Sequence, residues 1–228
     1  MPEAVLDRSI RDEDWYGKQL TGSACTRCQF HHVDLTEAVS RSVVFTECTF
    51  GTVLFNASRH TDSAFLRCTF RRCNLLDAQF AGCKLIGSVF VECALRPLTV
   101  TGGDWSFVGL SDADLRGVEV RGARMREVDL SGADCRQAAF TGADLSGAQL
   151  RGTKFGGCDL RGSDVSAIEP RSADLAGAVI DQVQAVLIAR ALGLEVRDPA
   201  DEAGGGTAAA TEAVSIPSVR DAAGRGSR

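Results

Sequence analysis

Cysteine, histidine and carboxylate are the residue types in this 228-residue chain that could carry chemistry: nine cysteines, three histidines and 30 Asp plus Glu. Thiols grouped with imidazoles would suggest zinc or a redox couple. Their phase argues otherwise. Cys28, Cys48, Cys68, Cys73, Cys83, Cys93 and Cys158 fall at one phase of a five-residue period, and Cys25 and Cys135 at another. Side chains that share a phase share a direction, which predicts compact core thiols in a reducing compartment. Cys25-Thr26-Arg27-Cys28 has CxxC spacing, but no second pair follows at a zinc-ribbon distance. His31, His32 and His60 sit beside no nucleophile pattern, and no Gly-Lys-Ser/Thr phosphate loop exists. The residues therefore read as a non-enzyme, without metal or cofactor.

That period organises nearly the whole chain. Centres recur at Phe30, Leu35, Phe45, Phe50, Phe55, Phe65, Phe70, Leu75, Phe80, Leu85, Phe90 and Leu95. They continue from Val100 and Trp105 through Leu145, Leu150, Phe155, Leu160 and Val165 to Leu175 and Ile180. Two residues before most centres stands a compact residue, as at Cys48, Ala78, Ser88, Ala123, Ala143 and Ala178. Five matches neither the 3.6-residue helix nor the two-residue strand. A short fixed period held over about 150 residues is the mark of a solenoid, whose units bury apolar surface only by stacking.

The copies Ala113-Asp114-Leu115-Arg116-Gly117, Ala143-Asp144-Leu145-Ser146-Gly147 and Ala173-Asp174-Leu175-Ala176-Gly177 resemble the A(D/N)LXX phrase of the pentapeptide-repeat family. The resemblance covers roughly residues 23–180. It implies an all-β solenoid, a right-handed quadrilateral β-helix with 20 residues per coil. At a strand spacing of about 4.8 Å, some eight coils would give a rod near 38 Å long. One column would stack Phe30, Phe50, Phe70 and Phe90 before turning to Leu110, Leu130 and Leu150. Another holds Ser40, His60 and Phe80 and reads as the least regular wall, with His60 outward or locally tolerated and His31 and His32 solvated. Gly82, Gly102, Gly122, Gly142 and Gly162 recur one coil apart, as a repeated turn requires.

Outside the repeats, residues 1–22 read as an N-terminal cap or frayed tail, with Trp15 and Leu20 placed to cover the first coil. Asp181 can cap a helix over Gln182–Leu192 with Gly193 at its stop, giving a C-terminal segment of 181–197. Val183, Val186, Leu187, Ile188, Leu192 and Leu194 cover more of that helix than an end cap needs, which predicts a homodimer interface. A plain cap is the other reading. Residues 198–228 are rich in Ala, Gly, Ser and Thr and are expected to be disordered. Mean hydropathy is −0.01, no 18-residue apolar run is present, and the N-terminus has no signal pattern. These point to a soluble, cytoplasmic protein with no membrane contact.

Function must then lie in outward residues, and charge carries the information. The net charge is −5. Residues 23–103 carry six acidic and eight basic side chains, and 104–180 carry twelve acidic and nine basic. The twelve are Asp104, Asp112, Asp114, Glu119, Glu127, Asp129, Asp134, Asp144, Asp159, Asp164, Glu169 and Asp174. Duplex DNA carries about one charge per 1.7 Å of axis, a field that carboxylates at coil spacing can imitate. Asp before a centre can equally bond the backbone at a turn, and Arg96, Arg116 and Arg136 could neutralise Asp114 and Asp134.

The chain also resembles the loopless branch of the Qnr- and MfpA-like group within that family, since no insertion interrupts its register. The resemblance implies a homodimeric DNA mimic that binds the DNA gate of DNA gyrase, and in some members topoisomerase IV. It implies modulation of supercoiling and protection against quinolones or natural gyrase poisons, with no direct nucleic-acid contact. A scaffold for another partner, and a self-immunity factor of an antibiotic producer, are the competing readings.

Overall fold

In the computed structural model, which describes residues 4–197, the five-residue period folds into stacked coils with four walls. Each wall pairs a residue with the one 20 positions on. Wall one runs Val5↔Cys25↔Phe45↔Phe65, and wall two runs Ile10↔Phe30↔Phe50↔Phe70↔Phe90. Wall four runs Leu20↔Ser40↔His60↔Phe80↔Val100↔Val120↔Phe140. Wall three, centred on Trp15, Leu35 and Phe55, is held by single parallel bridges such as Asp34↔Leu54 and Asp114↔Asp134. The least regular wall is thus the third. The fourth, expected to be irregular, carries a seven-stranded sheet, the widest of the fold.

The corners explain the period. Two residues after most centres the backbone takes the left-handed conformation, as at Thr52 (φ 55°), Arg67 (φ 51°) and Gly122 (φ 62°). Glycine meets this demand freely. An L-residue gives up about 1–2 kcal/mol, so the non-glycine corners of the N-terminal coils are set by the stack rather than by local preference.

The coils also start earlier than residue 23. Strands Ala4–Leu6, Ser9–Arg11 and Gln19–Thr21 pair in register with Ala24–Thr26, Gln29–His31 and Val39–Arg41. Val5, Ile10, Trp15 and Leu20 stand on the beat as partly buried centres. The charged run Arg11-Asp12-Glu13-Asp14 hides that beat in the sequence, because every one of its residues takes an outward place. Residues 198–228, expected to be disordered, lie outside the described residues.

Inside, rings stack from coil to coil. Phe30–Phe50, Phe50–Phe70 and Phe70–Phe90 have centroids 4.8, 4.9 and 4.5 Å apart and are nearly parallel. Each fully buried Phe contributes roughly 1.5–3 kcal/mol through area removed from water. Trp105 closes this series against Phe90 at 6.3 Å, after which Leu110, Leu130 and Leu150 continue the column. Where the compact residue before a centre carries a thiol or hydroxyl, it satisfies an inward carbonyl one coil back. Ser88 Oγ donates to Phe65 O at 2.7 Å, Thr153 Oγ1 to Leu130 O at 2.8 Å, and Cys83 Sγ to His60 O at 3.3 Å. Cysteine, serine and threonine are interchangeable there because each is small and donates once.

Of the two expectations for His60, outward or locally tolerated, the structure shows the second. Its ring is 4 % exposed and stacks on Phe80 at 4.7 Å, with Ser40 and Ser58 bonding its two nitrogens. The ring points inward because those hydroxyls supply the partners a buried imidazole requires.

Candidate interaction surfaces

The Asp before a centre is first of all a turn residue. Asp114, Asp129, Asp134, Asp144, Asp159, Asp164 and Asp174 each accept, through Oδ1, the backbone N–H two residues on. Asp104 does the same with Ser106. Eight of the twelve candidate carboxylates therefore build the coil whatever else they do.

Arginine divides the twelve again. Asp104 pairs with Arg124, Asp114 with Arg96 and Arg116, and Glu119 with Arg121. Asp134 pairs with Arg136, Asp144 with Arg126, and Asp159 with Arg161. The Arg136 guanidinium holds the Asp134 carboxyl down to about 2, and Arg116 and Arg161 lower Asp114 and Asp159. The Ser146 hydroxyl leads the lowering of Asp144, with Arg126 behind it. Asp112, Glu127, Asp129, Asp164, Glu169 and Asp174 have no ion-pair partner among the described residues. All but the half-buried Asp129 are exposed.

The structure spreads the twelve over all four walls. Within 104–180, wall three sets Asp114, Asp134 and Asp174 against Arg116, Arg136 and Lys154, and wall four sets Glu119 and Asp159 against Arg121 and Arg161. Both balance. Wall one and its corner carry Asp104, Glu127, Asp144 and Asp164 against Arg124 and Arg126. Wall two and its corner carry Asp112, Asp129 and Glu169 against Arg151 and Arg171. The acidic excess of this half therefore belongs to walls one and two.

Counting charge by halves of the chain also missed a second acidic group. Glu13, Asp14, Asp34 and Glu37 share wall three of the first two coils, with Asp14 bridged to Asp34. Folding the sequence into columns of twenty from residue 4 would have found it.

The other candidate surface is the C-terminal end. Asp181 caps the helix Gln182–Ala191 in a reciprocal capping box with Gln184, and its other oxygen accepts the Gly162 N–H at 3.0 Å. Gln184, 3 % exposed, sends Nε2 to Leu160 O at 2.6 Å and Ser163 O at 2.8 Å. One amide thus anchors the helix to the last complete coil by satisfying carbonyls that no further coil would reach. Gly193 (φ 86°) ends the helix, with Leu194 N–H returning to Ala189 O. Val183, Leu187, Leu192 and Leu194 remain exposed, at 72, 42, 41 and 60 %, while Val186 and Ile188 are half-buried.

Among the described residues no helix is long and apolar enough to cross a membrane, and no three His, Cys, Asp or Glu side chains group as a metal site.

Comparison with known proteins agrees with this geometry. The model of pentapeptide repeats matches in eight copies, over residues 61–96, 110–147 and 143–164. A curated relative, pentapeptide repeat protein MfpA of Mycobacterium tuberculosis, is 41 % identical over 110 residues, 48 % of this chain. The match spans 57 % of that relative's length. Among solved structures, trypsin-treated QnrB1, titled a plasmid-mediated fluoroquinolone resistance protein, aligns over 86 % of this chain and 99 % of its own. Its TM-score is 0.78 at 22 % identity, which is a likeness of fold. Full-length QnrB1 aligns over 84 % of this chain with a TM-score of 0.55. Parallel pairing at a constant step of twenty, recurrent left-handed corners and the family match make the coils over residues 61–96 and 110–164 pentapeptide repeats.

Proposed function

We propose that the chain is a non-catalytic DNA mimic that binds DNA gyrase, and topoisomerase IV where present, as a two-fold dimer joined through its C-terminal helix. On this reading it modulates supercoiling in the cytoplasm and protects the enzyme from quinolone-type or natural poisons. The observation that carries it is the unpaired carboxylate excess of walls one and two, at Asp112, Glu127, Asp129, Asp164 and Glu169, together with an uncovered apolar helix. A basic duplex-binding groove would meet charge there without first breaking ion pairs. The likeness to MfpA and to QnrB1, a fluoroquinolone resistance protein, supports the same choice.

The structure also supplies a clean test. Asparagine keeps the turn-forming oxygen, so Asp129→Asn and Asp164→Asn remove charge and leave the coil intact. Combined with Glu127→Gln and Asp112→Asn, they are expected to weaken gyrase binding at least tenfold and flatten its salt dependence. Unchanged inhibition of supercoiling by the folded variant would overturn the reading.

The arginine pairing of half the carboxylates favours a second reading, a scaffold for a different partner. Capture experiments with purified gyrase A and B subunits separate the two: no retention by either subunit selects the scaffold.

A further inference from the structure

Inward thiols form two sets stacked one coil apart: a first of Cys28, Cys48 and Cys68 on one column, and a second, the pair Cys73 with Cys93, on another. Parallel neighbours lie about 4.8 Å apart, inside the 4.4–6.8 Å Cα separation that a disulfide spans. The second pair is fixed in register by Arg71↔Val91 below and Asn74↔Ala94 above. Cys73 Sγ donates to Phe50 O at 3.2 Å and Cys93 Sγ to Phe70 O at 3.4 Å, so both sulfurs occupy the same column of the interior.

Access distinguishes the pairs. Cys48 and Cys68 are each 1 % exposed and Cys73 2 %, whereas Cys93 is only partly buried. It lines an open depression of about 380 Å³ with Glu92, Asp112 and Ala113. Thiol acidity alone does not separate the pairs, since contact with Cys68 lowers the sealed Cys48 to about 7; only in the Cys73–Cys93 pair is the lowered thiol also the accessible one. Contact with the Cys73 thiol lowers Cys93, while that contact together with burial pushes Cys73 up. The accessible sulfur is therefore the thiolate-prone one, and the sealed sulfur keeps its proton.

We propose that Cys93 and Cys73 are a peroxide-sensitive pair, Cys93 taking the oxidant and Cys73 resolving it into a disulfide that staples two coils. Cys93 sulfur attacks hydrogen peroxide, the O–O bond breaks, and one oxygen stays as a sulfenic acid while the other leaves as water. Cys73 sulfur then attacks Cys93 Sγ, gives up its proton, and the S–O bond breaks to release a second water. Two thiols are oxidised by two electrons and one peroxide is reduced. The Glu92 and Asp112 corners, one coil apart at the mouth, admit a neutral peroxide and repel an anionic disulfide such as oxidised glutathione. This pair is independent of the gyrase reading.

The test is limited peroxide treatment of the native full chain, then alkylation, trypsin digestion and mass spectrometry. The expected product joins the peptide 73–84 to the peptide 85–116, since the Arg96-Pro97 bond resists trypsin, with fragment ions placing the link on Cys73 rather than Cys83, and dithiothreitol reverses it. Cys73→Ser is expected to abolish the link and let Cys93 proceed to sulfinic acid. Cys48→Ser is expected to change nothing. Oxidised glutathione at the same concentration is expected to be at least tenfold slower. A Cys48–Cys68 link forming as fast, or Cys93 over-oxidising in the parent without a link, would overturn the proposal.

Discussion

The Nδ1 of His60 lies 2.7 Å from Ser40 Oγ, one coil below it, while the ring above it is Phe80. A histidine thus fills a ring position in an apolar column by borrowing hydroxyls. Burial drives its basicity down to about 3. Protonation then favours the unfolded chain, where the imidazole titrates near 6.5. The neutral-ring contribution is fully present above pH 6.5 and is lost as the pH falls from there toward 3. Between pH 6.5 and 5 the loss is expected to reach about 2 kcal/mol. His60→Phe is expected to flatten this slope, measured as denaturation midpoints against pH. An equally steep slope in the variant would place the sensitive group elsewhere.

Gln184 is the only buried residue of the C-terminal helix. Gln184→Leu leaves Leu160 O and Ser163 O unsatisfied, at about 1–3 kcal/mol for each buried group. The helix is expected to lift from the coil while the repeats stay folded. Hydrogen exchange over 182–191 is expected to accelerate at least tenfold, with exchange over 30–130 unchanged.

Gly103 and Gly122 test the corners differently. A Cβ at Gly103 (φ 83°) would meet the Cys83 carbonyl oxygen at 2.1 Å and its nitrogen at 2.8 Å, whereas at Gly122 nothing lies within 4 Å. Gly122→Ala is expected to cost about 1–2 kcal/mol, the left-handed penalty alone. Gly103→Ala must also push two coils apart and is expected to exceed 3 kcal/mol in the same melts.

If the exposed helix face joins two copies, charge placed on it should separate them. Val183→Glu with Leu187→Glu is expected to give a monomer by light scattering with the coil spectrum unchanged. Supercoiling inhibition is expected to fall with it, because two-fold presentation of walls one and two would be lost. A variant that stays dimeric would move the interface off this helix.

Much of the fold was legible because a coil's inward and outward places are set locally, by where five residues turn one corner. Cys28, Cys68 and Cys158 could be assigned to the core from phase alone, and Asp181 with Gly193 marked the helix ends. The first coil was less readable, since Val5, Ile10, Trp15 and Leu20 keep the beat within a charged run. His60 was left between two expectations because a polar residue at a centre is tolerable only if partners arrive from Ser40 and Ser58. Those partners are neighbours through the turn of the coil.

The sequence by itself determined the period, the pairing step and the total charge, since each is a property of residue order. Only the tertiary structure decided which wall a charge occupies and which carboxylates arginine already holds. The same was true of which thiol meets solvent and which amide anchors the helix. Such properties arise when residues twenty apart become neighbours about 4.8 Å away, where packing and electrostatics act on distances in space.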